Sequence, residues 1–244
     1  MQIIIPMAGQ GSRFKSVGID TPKPLIVVDG ETLAEHSIKT LGIDGKFIFI
    51  TRTFENQEDN LKLTEIFNRT CKDFIEIRID EKHLGAAHSA LFAEGVLDIN
   101  DELIITNSDQ HLEWDGAAFK KFVDSNTYAD GSVVLYSSTN PKNSFALLGP
   151  GHHISAIAEK QPISSDALIG VHYWRYAGDF IASAKRLVSD YKELGYPEAY
   201  VSTTYNYLIN DKKVILGYII DNNEYQSLGT PEDLKEYYEY RTRD

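Results

Sequence analysis

Gln2-Ile3-Ile4-Ile5-Pro6-Met7-Ala8-Gly9-Gln10-Gly11-Ser12-Arg13-Phe14 sets the fold class of the chain. Its short isoleucine run reads as a buried strand, and the glycines at 9 and 11 let the backbone turn tightly at the strand's end. Beyond it, apolar runs at 47–51, 74–79, 102–106 and 132–136 are equally short and rich in Ile, Phe and Val. Stretches of helical period lie between them, at 32–41, 56–69, 86–96 and 115–125. Strand and helix taking turns in this way predicts crossover units. The expected fold is α/β, with a mixed, mostly parallel central sheet and helices on both faces in a Rossmann-like three-layer arrangement.

After about residue 138 the rhythm changes. Segments 144–148, 154–159 and 167–174 read as strands joined by turns, followed by helical patterns at 177–191 and about 199–210 and a strand at 214–220. Thr230-Pro231-Glu232-Asp233 announces a last helix, with an N-cap, a proline at the first helical position and acids in the first turn. No linker-like stretch separates the halves, so residues 1–244 are read as one domain. Residues 1–138 are expected to form its nucleotide-binding half, and residues 139–244 to complete the pocket.

Composition narrows the function. The 24 Lys and Arg against 36 Asp and Glu give a net charge of −12, which argues against a nucleic-acid partner, because such binding needs a basic face. A small anionic ligand needs only a few local cations and backbone N–H groups. The single cysteine, Cys71, excludes an internal disulfide framework and a cysteine-based zinc cage. The first residues lack a positively charged leader, and no apolar run approaches the roughly 18 residues of a membrane span. The expected location is cytoplasmic, with no membrane partner.

The loop 8–13 can be tested against two named motifs. Phe14 stands where a dinucleotide fingerprint wants a third glycine, and the Gly-Lys-Ser/Thr of a Walker loop is missing. What remains is a turn whose N–H groups can point at an anion beside Arg13, or a tight turn with no ligand. Ten residues further on, Thr21-Pro22-Lys23-Pro24-Leu25 holds one lysine between two prolines. That framing fixes its backbone, where a solvated loop lysine would be left to move.

Taken together, Pro6–Phe14 and Pro22–Leu25 closely resemble the opening of sugar-phosphate nucleotidyltransferases, in particular the small members of capsule and surface-polysaccharide pathways. The resemblance runs from residue 2 to about 235. It implies the nucleotide-diphospho-sugar transferase fold, with a loop of Ala8, Gly9, Gln10, Gly11 and Ser12 around the triphosphate of an NTP. It also implies Arg13 at the leaving pyrophosphate and Lys23 at the α-phosphate. Leu84-Gly85-Ala86-Ala87 matches the motif whose glycine meets the base. Asn107 and Asp109, after the strand at 102–106, match the nucleotide and metal station, which implies Mg²⁺ on Asp109. Glu159-Lys160 matches the acceptor station, and Gly170 the glycine that lets acceptor approach the backbone.

Three positions depart from the family pattern. Gln161 replaces a proline after Glu159-Lys160. Ser227 stands where relatives carry a second metal-binding aspartate, with Glu224 near enough in sequence to substitute. Asp80 replaces a base-pairing glutamine five residues before Gly85. A carboxylate only accepts hydrogen bonds, so Asp80 suits the amino group of cytosine and favours CTP; as a plain strand-end residue it would have no such role. The expected partners are an NTP and a phosphorylated acceptor, either a hexose 1-phosphate or a phosphorylated non-sugar. A glycosyltransferase would want Asp-x-Asp at 107–109 and has no use for Arg13 and Lys23. A non-catalytic nucleotide-binding regulator would explain the loss at Ser227.

Overall fold

The computed structural model describes residues 1–242, so the last two residues of the segment 139–244 lie outside it. The strands are β1 (Gln2–Pro6), β2 (Val27–Val28), β3 (Glu31–Thr32), β4 (Lys46–Thr51), β5 (Phe74–Arg78), β6 (Leu103–Thr106) and β7 (Gln110–Leu112). They continue with β8 (Gly131–Ser137), β9 (Ser144–Leu148), β10 (Ile154–Glu159), β11 (Asp166–Trp174), β12 (Ile215–Ile219) and β13 (Tyr225–Ser227). The α-helices are α1 (Ser12–Lys15), α2 (Leu33–Thr40), α3 (Gln57–Thr70), α4 (Ala86–Leu91), α5 (Gly116–Ser125), α6 (Ala177–Asp190), α7 (Tyr205–Asn210) and α8 (Pro231–Arg241).

Alternation within β1 sets the layers. Ile4 faces one core, with Ala87 and Ala90 of α4, Phe180 and Leu187 of α6, and Tyr205 and Leu208 of α7. Ile3 and Ile5 face the other, with Ala34 and Ile38 of α2, Leu63 and Phe67 of α3, and Phe119 and Val123 of α5. A strand covered on both faces has no polar side to show, hence its unbroken isoleucines.

The central sheet runs β5-β4-β1-β6-β11-β8-β12, and the β9–β10 hairpin joins it at β11. Among the described residues only β10 and β11 run against the other strands of this nine-stranded sheet, so the expected mixed, mostly parallel sheet is found. β11 comes from the second half of the chain and is inserted between β6 and β8 of the first, so both halves share one sheet.

Two expectations shift, and two small strand pairs are added. The helix expected over 199–210 is a 3₁₀ turn at Ser202–Thr204 followed by α7. The helix expected over 86–96 ends at Leu91, with a 3₁₀ turn at Glu94–Val96. The small pairs β2–β3 and β7–β13 are too short to show a period in the sequence.

Candidate active site

The loop after β1 is the first wall of the site. Among the described residues, no acceptor takes the N–H groups of Gly9, Gln10, Gly11, Ser12 or Arg13. A run of free N–H groups makes an anion-binding concavity. Gly11 has φ +64, and a Cβ there would stand 3.3 Å from Lys23 Cβ, so the glycine lets the loop lie against the lysine. Phe14 anchors α1 in a small core with Leu33, Leu228 and Tyr237, which is why a bulky residue stands at that position. Arg13 is exposed and has no carboxylate partner among the described residues.

Lys23 begins a 3₁₀ turn capped by Pro22 and reaches across the cleft to Asp109, its Nζ 2.5 Å from Oδ2. Asp109 sits between β6 and β7, past the carboxyl end of a parallel strand, where open α/β sheets bind ligands. The β7–β13 ribbon brings the chain's end to this point, with Ser227 opposite Gln110 and the Leu228 N–H donating to the Asp109 carbonyl at 2.8 Å.

A Cβ on Gly229 would stand 2.9 Å from Asp109 Oδ2 and 3.5 Å from Asp233 Oδ2. The missing side chain therefore keeps open the space between two carboxylates from distant parts of the chain. The Ser227 hydroxyl donates to Asp233 Oδ2 at 3.0 Å. Glu224 is engaged elsewhere, accepting from the Asp221 N–H at 2.7 Å, so Asp233, and not Glu224, is the carboxylate near Asp109. Oxygen donors from one or two carboxylates beside a loop of free N–H groups suit magnesium. Asp233 looked in the sequence like an ordinary first-turn acid; only the ribbon brings it here.

Gly9, Gly11, Arg13, Lys23, Asn107 and Asp109 line one cleft of about 370 Å³, whose wall also includes Ala8, Ser12 and Ala86. A second cleft, of about 510 Å³, adjoins it through shared Ala8, Gly9, His83 and Glu198, and is lined by Gln10, Arg52 and Asp80. Asp80 is exposed there, and Arg52 was not singled out by the sequence.

Two of the glycines singled out in the sequence are held in close packing. Gly85 is buried with φ +122, and a Cβ would stand 2.6 Å from the Ala199 carbonyl oxygen. Its open side is covered by Ala199, whose N–H donates to the Leu84 carbonyl, and Ala86 lines the cleft instead. Gly170 is buried with φ +85, and the Asn107 amide fills the room above it, 2.0 Å from where a Cβ would be.

Glu159 and Lys160 lie outside the first cleft's lining and are tied to it by the segment that covers Gly85. The Ser202 hydroxyl donates to Glu159 at 2.8 Å, and the Ser144 hydroxyl donates to the same carboxylate. Lys160 Nζ donates to the Tyr200 hydroxyl at 2.7 Å. Burial raises the Glu159 carboxyl above the usual carboxylate range, and the two serine donors and Lys160 pull only partly against it.

The profile of the family described as "Nucleotidyl transferase" matches residues 2–243, and the chain belongs to that family. It is 30% identical over 143 residues, 59% of its length, to the bifunctional protein GlmU of Methanococcus maripaludis strain C5; that match covers 31% of the relative. The chain thus spans about a third of this curated relative.

Among solved structures, a nucleoside-diphosphate-sugar pyrophosphorylase from Vibrio cholerae RC9 superposes with a TM-score of 0.84 at 24% identity, covering 96% of this chain and 98% of that one. The inositol-1-phosphate CTP transferase of T. maritima gives 0.73 at 16%, covering 99% and 95%. The UTP-bound UGPase of Acinetobacter baumannii gives 0.72 at 17%, covering 96% and 90%. At these identities the likeness is one of fold.

Proposed function

We propose that the chain transfers a nucleotidyl group from an NTP, CTP by preference, to a phosphorylated small molecule and releases pyrophosphate. One observation carries this: unpaired loop N–H groups, Arg13, Lys23 and Asp109 converge on a single cleft. An acceptor phosphate oxygen attacks the α-phosphorus, and the bond to the bridging oxygen of the β-phosphate breaks. Little covalent work falls to the protein in such a transfer, so positioning and charge neutralisation dominate.

The free N–H groups from Gly9 to Arg13 cradle the triphosphate. Arg13 meets the charge that grows on pyrophosphate, and Lys23 turns from Asp109 to the α-phosphate. Asp109 and Asp233 would hold a magnesium ion, which when bound offsets phosphate charge as a Lewis acid. Glu159 and Lys160 would receive the acceptor's hydroxyls and phosphate.

The acceptor class is a sugar phosphate, supported by the names of the relatives, with a phosphorylated non-sugar as the variant that Gln161 leaves open. Supply of activated precursor for capsule or surface polysaccharide suits such a product, and a reaction that consumes NTP suits the cytoplasm. The fold's neighbours include both CTP and UTP proteins, so the base rests on Asp80, an acceptor-only group in the second cleft. Kinetics with all four NTPs test that choice: a CTP preference that narrows in Asp80→Gln supports it, and equal use of UTP removes it.

A further inference from the structure

Arg52 follows β4, the strand that lies between β1 and β5. At the carboxyl ends of those strands its neighbours are therefore the loop leaving β1 and the loop leaving β5. All three border the second cleft, with Gln10 from the first loop and Asp80 from the other. The guanidinium lies over the Phe54 ring, 5.2 Å from its centre, which restrains its plane. Its single hydrogen bond among the described residues is a long one, from Nη1 to Gln10 Oε1 at 3.4 Å. Nε is buried and donates to nothing among the described residues, and no described carboxylate pairs with the group.

The guanidinium makes no ion pair among the described residues although Asp80, Glu81 and Glu198 border the same cleft, so its donors are open to a ligand. Buried donors are costly to leave unmade, so a ligand that supplies acceptors gains the bond without displacing a protein partner.

We propose that Arg52 is the second half of a base-reading pair with Asp80, which deepens the nucleotidyl-transfer reading above and rests on it. Arg52 donates to the ring nitrogen N3 and the O2 carbonyl of cytosine, while Asp80 accepts from the 4-amino group. Uracil opposes both partners. Its N3–H points a donor at the guanidinium, and its O4 points an acceptor at the carboxylate. Guanine shares the required polarity, with O6 for Arg52 and N1–H and N2 for Asp80, so GTP is the comparison that judges fit by size.

Arg52→Met keeps a stem over Phe54 and removes every donor, and Arg52→Lys keeps the charge without the fork. Two measurements are made on each: kcat/KM with CTP, UTP and GTP, and calorimetric binding of cytidine and uridine 5′-monophosphates. The monophosphates still report on Arg52 if turnover is lost, and circular dichroism checks that the variants fold. The expected result is a CTP-over-UTP preference that falls about ten- to a hundredfold in Arg52→Met, mainly through KM, with a matching loss for the cytidine monophosphate and partial recovery in Arg52→Lys.

A wild type that prefers CTP, with the preference intact in Arg52→Met, overturns the role of Arg52 and leaves the transferase reading standing. An equal loss for CTP and UTP also overturns it, making Arg52 a phosphate contact. A wild type indifferent to the base, or one favouring GTP, overturns both the pair and the choice of cytosine.

Discussion

At the scale of the residue, the Lys23 ammonium and the Asp109 carboxylate meet across the cleft, and in the proposed reaction they would part to serve the α-phosphate and the cation. Lys23→Ala and Arg13→Ala should each lower kcat by about 10²–10³, more than they weaken NTP binding, because fixed charges act mainly on the transition state. Calorimetry of NTP binding beside steady-state rates checks this; lost affinity at unchanged kcat would reduce both to tethers. Asp109→Ala should abolish turnover. Asp233→Asn should raise the divalent-cation concentration needed for half-maximal rate and weaken Mn²⁺ binding followed by electron paramagnetic resonance with NTP present. Unchanged Mn²⁺ binding would return Asp233 to a purely helical role. Acidification should raise the acceptor's KM starting above the ordinary carboxylate range, since burial lifts the Glu159 carboxyl and its loss of charge on protonation comes early. In Glu159→Gln that pH dependence should flatten. Arg13, Lys23 and Asp109 were legible because each sits in a local signal of glycine, proline or strand end. Arg52 and Asp233 were not, because strand order brings the first to the second cleft and a ribbon between distant segments brings the second beside Asp109.

At the scale of the element, two caps govern how the walls are presented. The Thr32 hydroxyl accepts from the Glu35 N–H and also donates to the Glu35 carboxylate, opening α2, and Arg69 grips the same carboxylate from α3. Burial alone would raise the Glu35 carboxyl, but Arg69 and the Thr32 backbone and hydroxyl bonds prevail and bring it down to about 2. A lowered acid pKa stabilises the fold above the unfolded value, and that contribution is lost as pH falls through the folded one. Melting temperature should therefore fall as pH is taken from about 4.5 toward 2, and fall less steeply in Glu35→Gln. Thr230, whose hydroxyl accepts from the Asp233 N–H, caps α8; Thr230→Ala should cost about 1 kcal/mol in denaturant unfolding. The long strands and helices were readable from period and composition. The ribbon β7–β13 was not, since three-residue strands carry no period, yet it sets the site's far wall.

At the scale of the whole molecule, the two halves are not separable parts. β11 lies inside the sheet of the first half, and the segment 198–202 touches both Leu84–Ala87 beside the clefts and the Glu159 carboxylate. Order beside the two clefts is thereby connected to order around Glu159. Alternating strand and helix made the α/β layering legible, whereas the insertion of β11 depended on pairing partners far apart in the chain. The same distance hid the covering of Gly85 by Ala199 and of Gly170 by Asn107. Nucleotidyl transfer underlies every role given to these residues, and its sharpest test is pyrophosphate release, measured for each of the four NTPs with a panel of phosphorylated acceptors and a divalent cation. Pyrophosphate should form only when NTP, phosphorylated acceptor and cation are all present, fastest with CTP, together with a nucleotide–acceptor diphosphate in equal amount. No pyrophosphate with any pair, or its release without acceptor and without the coupled product, would show that the chain does not carry out this transfer.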